Sequence, residues 1–267
     1  MELSDPKRMR QDPRHKIILS VDLGKQQDFT ALTISEAKPE VRKNTRGKSY
    51  TAVVVNVRDI QRMPLGTDYE TIAHHIHQVF WDDRLWLFWE GKWRSPTLLV
   101  DAGGVGDAVA DTLAKSMGLR HIRYRLVRGT AATNRHSPRD YTIPRTVMFQ
   151  QLYAAFTTNR IKVDPRLKLA KALISELKGL QVERNEETGY ERVTHREGEH
   201  DDMAICMAST NWWANVPLPG RTRFLGADHP TVKKLLGYPA QEPTSASQNP
   251  QRTPVPVRKP GGSKWSR

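Results

Sequence analysis

Lys16-Ile-Ile-Leu-Ser-Val-Asp-Leu-Gly24 is a short apolar run that ends on a carboxylate and a glycine. It has the length of a strand and is too short for a helix, so it reads as a buried strand with Asp22 at its C-terminal end. Working outward, Phe29 to Glu36 alternates in polarity and Ser49 to Val57 is β-branched, which predicts two more strands. The polar, basic link from Lys38 to Lys48 reads as a hairpin loop between them. No helix fits between the first strand and the second, which excludes a fully doubly wound sheet.

Thr67-Asp-Tyr-Glu70 has the form of a capping box, and Ile72, Ile76, Val79 and Phe80 then keep helical spacing. Thr97 to Asp101 (TLLVD) is a second fully apolar strand with a terminal carboxylate. Gly103-Gly104 leads into a helix through Val109, Leu113 and Met117. Arg120 to Leu126 alternates as a fifth strand. Thr142 and Pro144 are read as opening one helix and Asp164-Pro165 another, the latter striped by Leu169, Leu173, Leu177 and Leu180. Gln181 to Arg196 reads as a hairpin, and a last helix starts near Asp201. This order predicts an α/β fold: an RNase H-like mixed five-stranded sheet in the order 3-2-1-4-5, flanked by helices, with an added β-hairpin.

Forty-two Lys and Arg against twenty-nine Asp and Glu give a net charge of +13, which suggests a polyanionic partner. The charge is uneven. From Pro217 to Arg267 there are nine basic and two acidic residues, and nine of the seventeen prolines lie there too. The expected organisation is therefore a basic N-terminal extension at 1–15, one folded domain at 16–214, and a Pro-rich basic tail at 215–267, largely disordered because it cannot bury enough apolar surface. The lone cysteine, Cys206, excludes a disulfide framework or a cysteine-based zinc cluster. With no apolar run long enough to span a bilayer and no apolar leader, the expectation is a cytoplasmic protein without a membrane partner.

In the 3-2-1-4-5 order the first and fourth strands are parallel neighbours about 4.8 Å apart, so Asp22 and Asp101 converge at one edge, where strand order reverses. Two carboxylates so placed repel unless a cation lies between them, and Mg²⁺ or Mn²⁺ suits carboxylate oxygens and water. Glu199-His-Asp-Asp202 opens the last helix, and a helix packed across the sheet brings Asp201 or Asp202 to the same point. Such a set would hold two ions and hydrolyse a phosphodiester. His200 is placed to help a leaving group or orient a water.

Val21-Asp-Leu-Gly24 with Asp28-Phe-Thr-Ala31, Val100-Asp-Ala-Gly-Gly-Val-Gly106 and Glu199-His-Asp-Asp-Met203 resemble the nuclease domain of phage terminase large subunits. The likeness spans residues 16–213 and extends to Ile143-Pro-Arg145, where the family usually has Pro-Lys, and to Ser175-Glu-Leu177. It implies a two-metal endonuclease that cuts double-stranded viral DNA during genome packaging. It also implies Asp22, Asp101 and Asp201 as metal ligands, Asp202 as a ligand or close neighbour, and Asp28 in the strand turn. Terminase large subunits carry an ATPase domain ahead of the nuclease. Here Arg46-Gly-Lys-Ser49 is no P-loop, since Arg42 stands where its first glycine belongs and a strand follows. A separate ATPase motor is the expectation, with a small terminase subunit and a portal as further partners.

Candidate DNA contacts are Arg42, Lys43, Arg46 and Lys48 in the second loop, Arg123, Arg125 and Arg128 on or after the fifth strand, and Arg145. His74, His75 and His77 read as an ordinary amphipathic helix, and Trp81, Trp86, Trp89 and Trp93 as a peripheral core or a docking face for a partner subunit. A Holliday-junction resolvase-like nuclease and a non-catalytic DNA-binding packaging subunit are the alternatives. A more remote one is the actin-like ATP-binding fold, which would need a second copy of the sheet.

Overall fold

The computed structural model describes residues 14–24, 28–89, 92–104, 106–128, 134–184, 186, 191–196, 198, 200–216 and 224–225. The N-terminal extension up to residue 13, Glu199 and nearly all of the tail lie outside these residues.

Three antiparallel strands come first: β1 (Lys16–Asp22), β2 (Ala31–Lys43) and β3 (Ser49–Arg62). Helix α1 (Tyr69–Phe80) follows, capped by Asp68, whose side chain accepts from the Thr71 backbone N–H at 2.8 Å. Thr67, the expected cap, instead donates to the Pro64 carbonyl. A 3₁₀ turn (Asp83–Leu85) leads to the short hairpin β4 (Leu87–Trp89) and β5 (Lys92–Arg94). The chain then enters β6 (Thr97–Asp101), α2 (Gly106–Lys115) and β7 (Ile122–Val127).

Beyond β7 the structure departs from expectation. The stretch read as the start of a helix is first a hairpin, β8 (Asn134–Ser137) and β9 (Asp140–Pro144), and only then α3 (Arg145–Thr157). Pro144 closes the strand, where its missing N–H costs nothing. Strand β10 (Ile161–Val163) follows, and α4 (Ala170–Gly179) begins five residues later than Asp164-Pro165 suggested. Asp164 holds a turn there through the Arg166 N–H. The expected hairpin is β11 (Leu180–Arg184) with β12 (Glu191–His195). Helix α5 (Asp202–Asn215) ends the compact part, and β13 (Phe224–Leu225) pairs with β5.

The main sheet runs β10-β3-β2-β1-β6-β7-β9-β8, eight strands where five were expected. Its central five, β3-β2-β1-β6-β7, stand in the anticipated order of an RNase H-like sheet. Strands β1, β6, β7 and β9 are mutually parallel, so their C-terminal ends share one edge. The extra strands β9 and β10 are short and pair with partners outside their own stretch of sequence, so local pattern does not mark them.

Side-chain alternation divides each strand between two cores. On one face Ile17, Leu19 and Val21 of β1 pack with α1 and α2. On the other, Ile18 of β1, Leu99 of β6 and Tyr124 of β7 pack with α3, α4 and α5. Asp22 and Asp101 are in step with Ile18 and Leu99, so period two directs both carboxylates to the α5 side. Helix α5 is buried on every side from Asp202 to Ala214, its polar Asp202, Ser209, Thr210 and Asn211 included. Two ties set its alignment against β1. Lys16 Nζ donates to the carbonyls of Trp213 (2.9 Å) and Val216 (2.8 Å) at the helix C-terminus, where a cation complements the helix dipole. Ser20 and Ser209 bond midway. With those points held, the N-terminus of α5 arrives at the end of β1.

Candidate active site

Asp22 ends β1, Asp101 ends β6, and Asp201 and Asp202 cap and open α5. Val21 and Val100 are in parallel register, so the two strand-terminal carboxylates lie side by side. In the turns that follow, two glycines have no room for a Cβ. A Cβ on Gly24 would lie 2.2 Å from the Asp28 carbonyl oxygen, and one on Gly106 would lie 1.9 Å from that of Asp101. Gly24 and Gly106 of the sequence motifs thus serve close backbone approach. Asp28 itself is exposed, with its carbonyl oxygen close to Gly24.

Burial raises the proton affinity of the set. Asp22 is pushed well above the ordinary carboxylate range, first by burial and then by the negative charges of Asp101, Asp202 and Asp201. Burial pushes Asp101 up to about 6, against the Gly103 N–H and Arg145, which favour its charged form. Burial likewise pushes Asp202 up to about 6, opposed by His200 and Arg62. Asp202 is 6% exposed, and its Oδ2 has no hydrogen-bond partner. His200 Nδ1 is 3.9 Å from that oxygen, and its ring packs edge-on against Phe29.

Asp201 differs from its neighbour. Its Oδ2 accepts from Arg145 Nη2 and from His195 Nδ1 at 3.1 Å. Arg145 begins α3 just beyond β9, another parallel strand ending at this edge. Its Nε donates to the Val193 carbonyl at 3.1 Å and its guanidinium lies over Phe149. A groove of about 500 Å³ opens here between the β11–β12 hairpin and Asp201.

Three of these groups were not assigned a role from sequence: Glu176, Arg62 and His195. Glu176 of α4 is 7% exposed, pairs with Arg62 at the end of β3, and accepts from the Ala204 N–H at 3.0 Å. Burial pushes it up to about 7. The usable signal was a glutamate inside the Leu173 and Leu177 stripe, a charged residue on a core face. Arg62 carried no such signal, because its place depends on the β2–β3 register that sets it opposite Ala31.

The candidate DNA contacts fare unevenly. Arg128 is exposed just past β7, on the carboxylate edge. Arg123 and Arg125 are committed to ion pairs, with Asp111 and with Asp107 and Asp140, on the opposite face beneath α2. The Arg42, Lys43, Arg46 and Lys48 group does not border the site. Strand β2 leaves Asp22 at Ala31 and runs twelve residues to Lys43, a separation of about 40 Å at ~3.3 Å per residue. Arg42 there bonds the carbonyls of Thr158 and Asn159. As the antiparallel partner of β1, β2 carries its far end away from Asp22.

The donor chemistry fits a hard divalent cation: buried carboxylate oxygens short of counter-charge, one of them orphaned. Among the described residues no three acidic, histidine or cysteine side chains gather around one point as a finished ligand set. Also among the described residues, no helix is long and apolar enough to cross a membrane.

No protein-family model and no curated protein matches the chain. Among solved structures it is similar to the large terminase nuclease of thermophilic phage G20c with bound magnesium, at 15% identity and a TM-score of 0.45, covering 76% of this chain and 84% of that one. It is also similar to the large terminase nuclease domain of Thermus phage P74-26, at 14% identity and a TM-score of 0.44, covering 75% and 80%.

Proposed function

We propose that this chain is a metal-dependent endonuclease that cleaves double-stranded DNA, acting in viral genome packaging as a terminase nuclease module. The observation that carries the reading is that half-buried Asp22 and Asp101 end neighbouring parallel strands, with buried Asp202 near enough for its charge to act on Asp22 and its Oδ2 unpartnered. Structural carboxylates are ordinarily paired when buried, because an isolated charge is costly there. The packaging setting rests on the motif resemblance around these residues, and an ATPase motor, small subunit and portal are its proposed partners.

Asp22, Asp101 and Asp202 would hold Mg²⁺ or Mn²⁺, two ions in the fullest form, with Asp201 joining them. Bound there, the ions would supply an activated water and charge stabilisation for the leaving oxygen. The chain's own groups do the rest. The parallel ends of β1 and β6 and the N-terminus of α5 set the carboxylates in place before any ligand arrives. Glu176 secures that N-terminus through Ala204. His200 is positioned beside Asp202 to orient a water or take a proton. Arg128 lies on the same edge for a phosphate.

Incubating the purified protein with supercoiled plasmid in Mn²⁺, Mg²⁺ or EDTA, beside Asp101→Asn, tests this. Nicked or linear DNA formed only with metal and an intact Asp101 is the expected result. Cleavage that persists in EDTA or in the variant would refute it.

A further inference from the structure

Resting on that reading, we propose that Arg145 is the internal counter-cation of the metal-free site: it holds Asp201 through a carboxylate oxygen, so recruiting Asp201 as a metal ligand competes with this ion pair.

The two adjacent aspartates of α5 make the case. Asp202 presents a buried oxygen with no donor. Asp201, one residue earlier and equally buried, has its Oδ2 taken by both Arg145 and His195. The guanidinium is well held, since Nε bonds the Val193 carbonyl and its face lies on Phe149. This planar fork therefore reaches a hairpin carbonyl and a carboxylate together, which a lysine ammonium cannot do in the same geometry. The guanidinium thus offsets the charge of Asp201. A cation bound by the same carboxylate does the same task, so the two compete, and each lowers the other's affinity equally.

Position allows the exchange. The Arg145 side chain is 25% exposed and borders the groove beside β12, whereas the Asp201 side chain is 10% exposed. When the pair opens, the guanidinium has an open trough to turn into while Asp201 stays on its helix. Arg145 is in this view a positioning residue, acting through Asp201.

The test is Mn²⁺ binding without DNA, by titration calorimetry and by loss of the free-ion paramagnetic resonance signal, on wild type, Arg145→Gln, Asp201→Asn and the double variant. Circular dichroism establishes that each is folded, and Arg145→Lys, which keeps the charge, serves if Arg145→Gln is not. Arg145→Gln should bind Mn²⁺ about five-fold more tightly, the scale of one partly buried ion pair. Arg145→Lys should show a smaller gain in the same direction. In the Asp201→Asn background the gain should shrink to less than about two-fold, because the pair is already absent. Unchanged or weaker Mn²⁺ binding by Arg145→Gln overturns the inference alone, as does a gain that survives in full without Asp201. Such results would assign Arg145 to a phosphate or to the general field. If neither wild type nor Arg145→Gln binds Mn²⁺, the inference and the metal-dependent reading fall together.

Discussion

Glu36 and Asp202 are both buried carboxylates against the same sheet, and their surroundings shift their proton affinities in opposite directions. Glu36, 1% exposed, accepts from His15 Nε2 at 2.8 Å and from Arg58 Nε at 3.1 Å. Burial alone would raise its affinity for a proton, but those hydrogen bonds and charges prevail and hold it down at about 2. Asp202 is buried to a similar degree, has an unpartnered oxygen and stands at about 6. Burial is common to both, and the counter-ion decides the sign. A structural carboxylate is matched by cations of its own chain. The carboxylates at the C-terminal edge of β1 and β6 are under-matched, and such a deficit is a physical mark of a site built for a ligand.

The largest effect should come from removing charge on the under-matched side. Asp101→Asn should lower cleavage by about 10²- to 10³-fold or more, the scale of losing one preorganised electrostatic group. The variant should melt no lower than wild type in EDTA, because a repulsion disappears with the charge. A marked fall in its metal-free melting temperature would mean that Asp101 is a structural residue like Glu36.

The matched side should respond the other way. Glu36→Ala leaves His15 and Arg58 facing a buried gap and should cost about 2–3 kcal/mol in denaturant unfolding, at the low end for a broken buried pair because Arg58 is partly exposed. Cleavage per folded molecule should not change. If activity drops while stability holds, the division between the two clusters fails.

Stability against pH, measured in EDTA, separates them further. The folded-state value of Glu36 is depressed, so its contribution is present above about pH 4.5 and is lost as pH falls towards 2. That of Asp101 is raised, so its contribution is present below about pH 4 and is lost as pH rises through 6. Asp101→Asn should therefore gain on the order of 1–2 kcal/mol relative to wild type between pH 4 and 7. A difference that stays flat over that range would show that Asp101 has no raised affinity to lose.

The smallest effect is expected at the far end of the β2–β3 hairpin. Replacing Lys43, Arg46 and Lys48 together by alanine should leave the cleavage rate within about two-fold, because some 40 Å of sheet is several Debye lengths at physiological salt. A large loss would show that bound DNA reaches that tip.

The strand-terminal aspartates were legible in the sequence because each ends a strongly apolar run, which also marks β1 and β6 as strands, while alternation marks β2 and β7 and β-branching marks β3. Helix α5 was legible as a helix with an acidic mouth. Strands β8, β9 and β10 were not, since their few residues become strands only by pairing with β7 and β3. The fate of the basic residues was equally hidden. Arg123 and Arg125 looked like a phosphate track along one strand, and they are neutralised by carboxylates of α2 and β9.

Residue type and local periodicity by themselves determined an α/β chain whose carboxylates end two neighbouring strands, because side-chain alternation and run length act over a few adjacent positions. Only the tertiary structure decided which of those carboxylates is matched. Arg145 meets Asp201 across 56 residues, and Arg62 meets Glu176 across 114. Such pairings depend on strand register, on helix alignment and on which face each side chain takes, and none of these is a property of a short stretch of sequence.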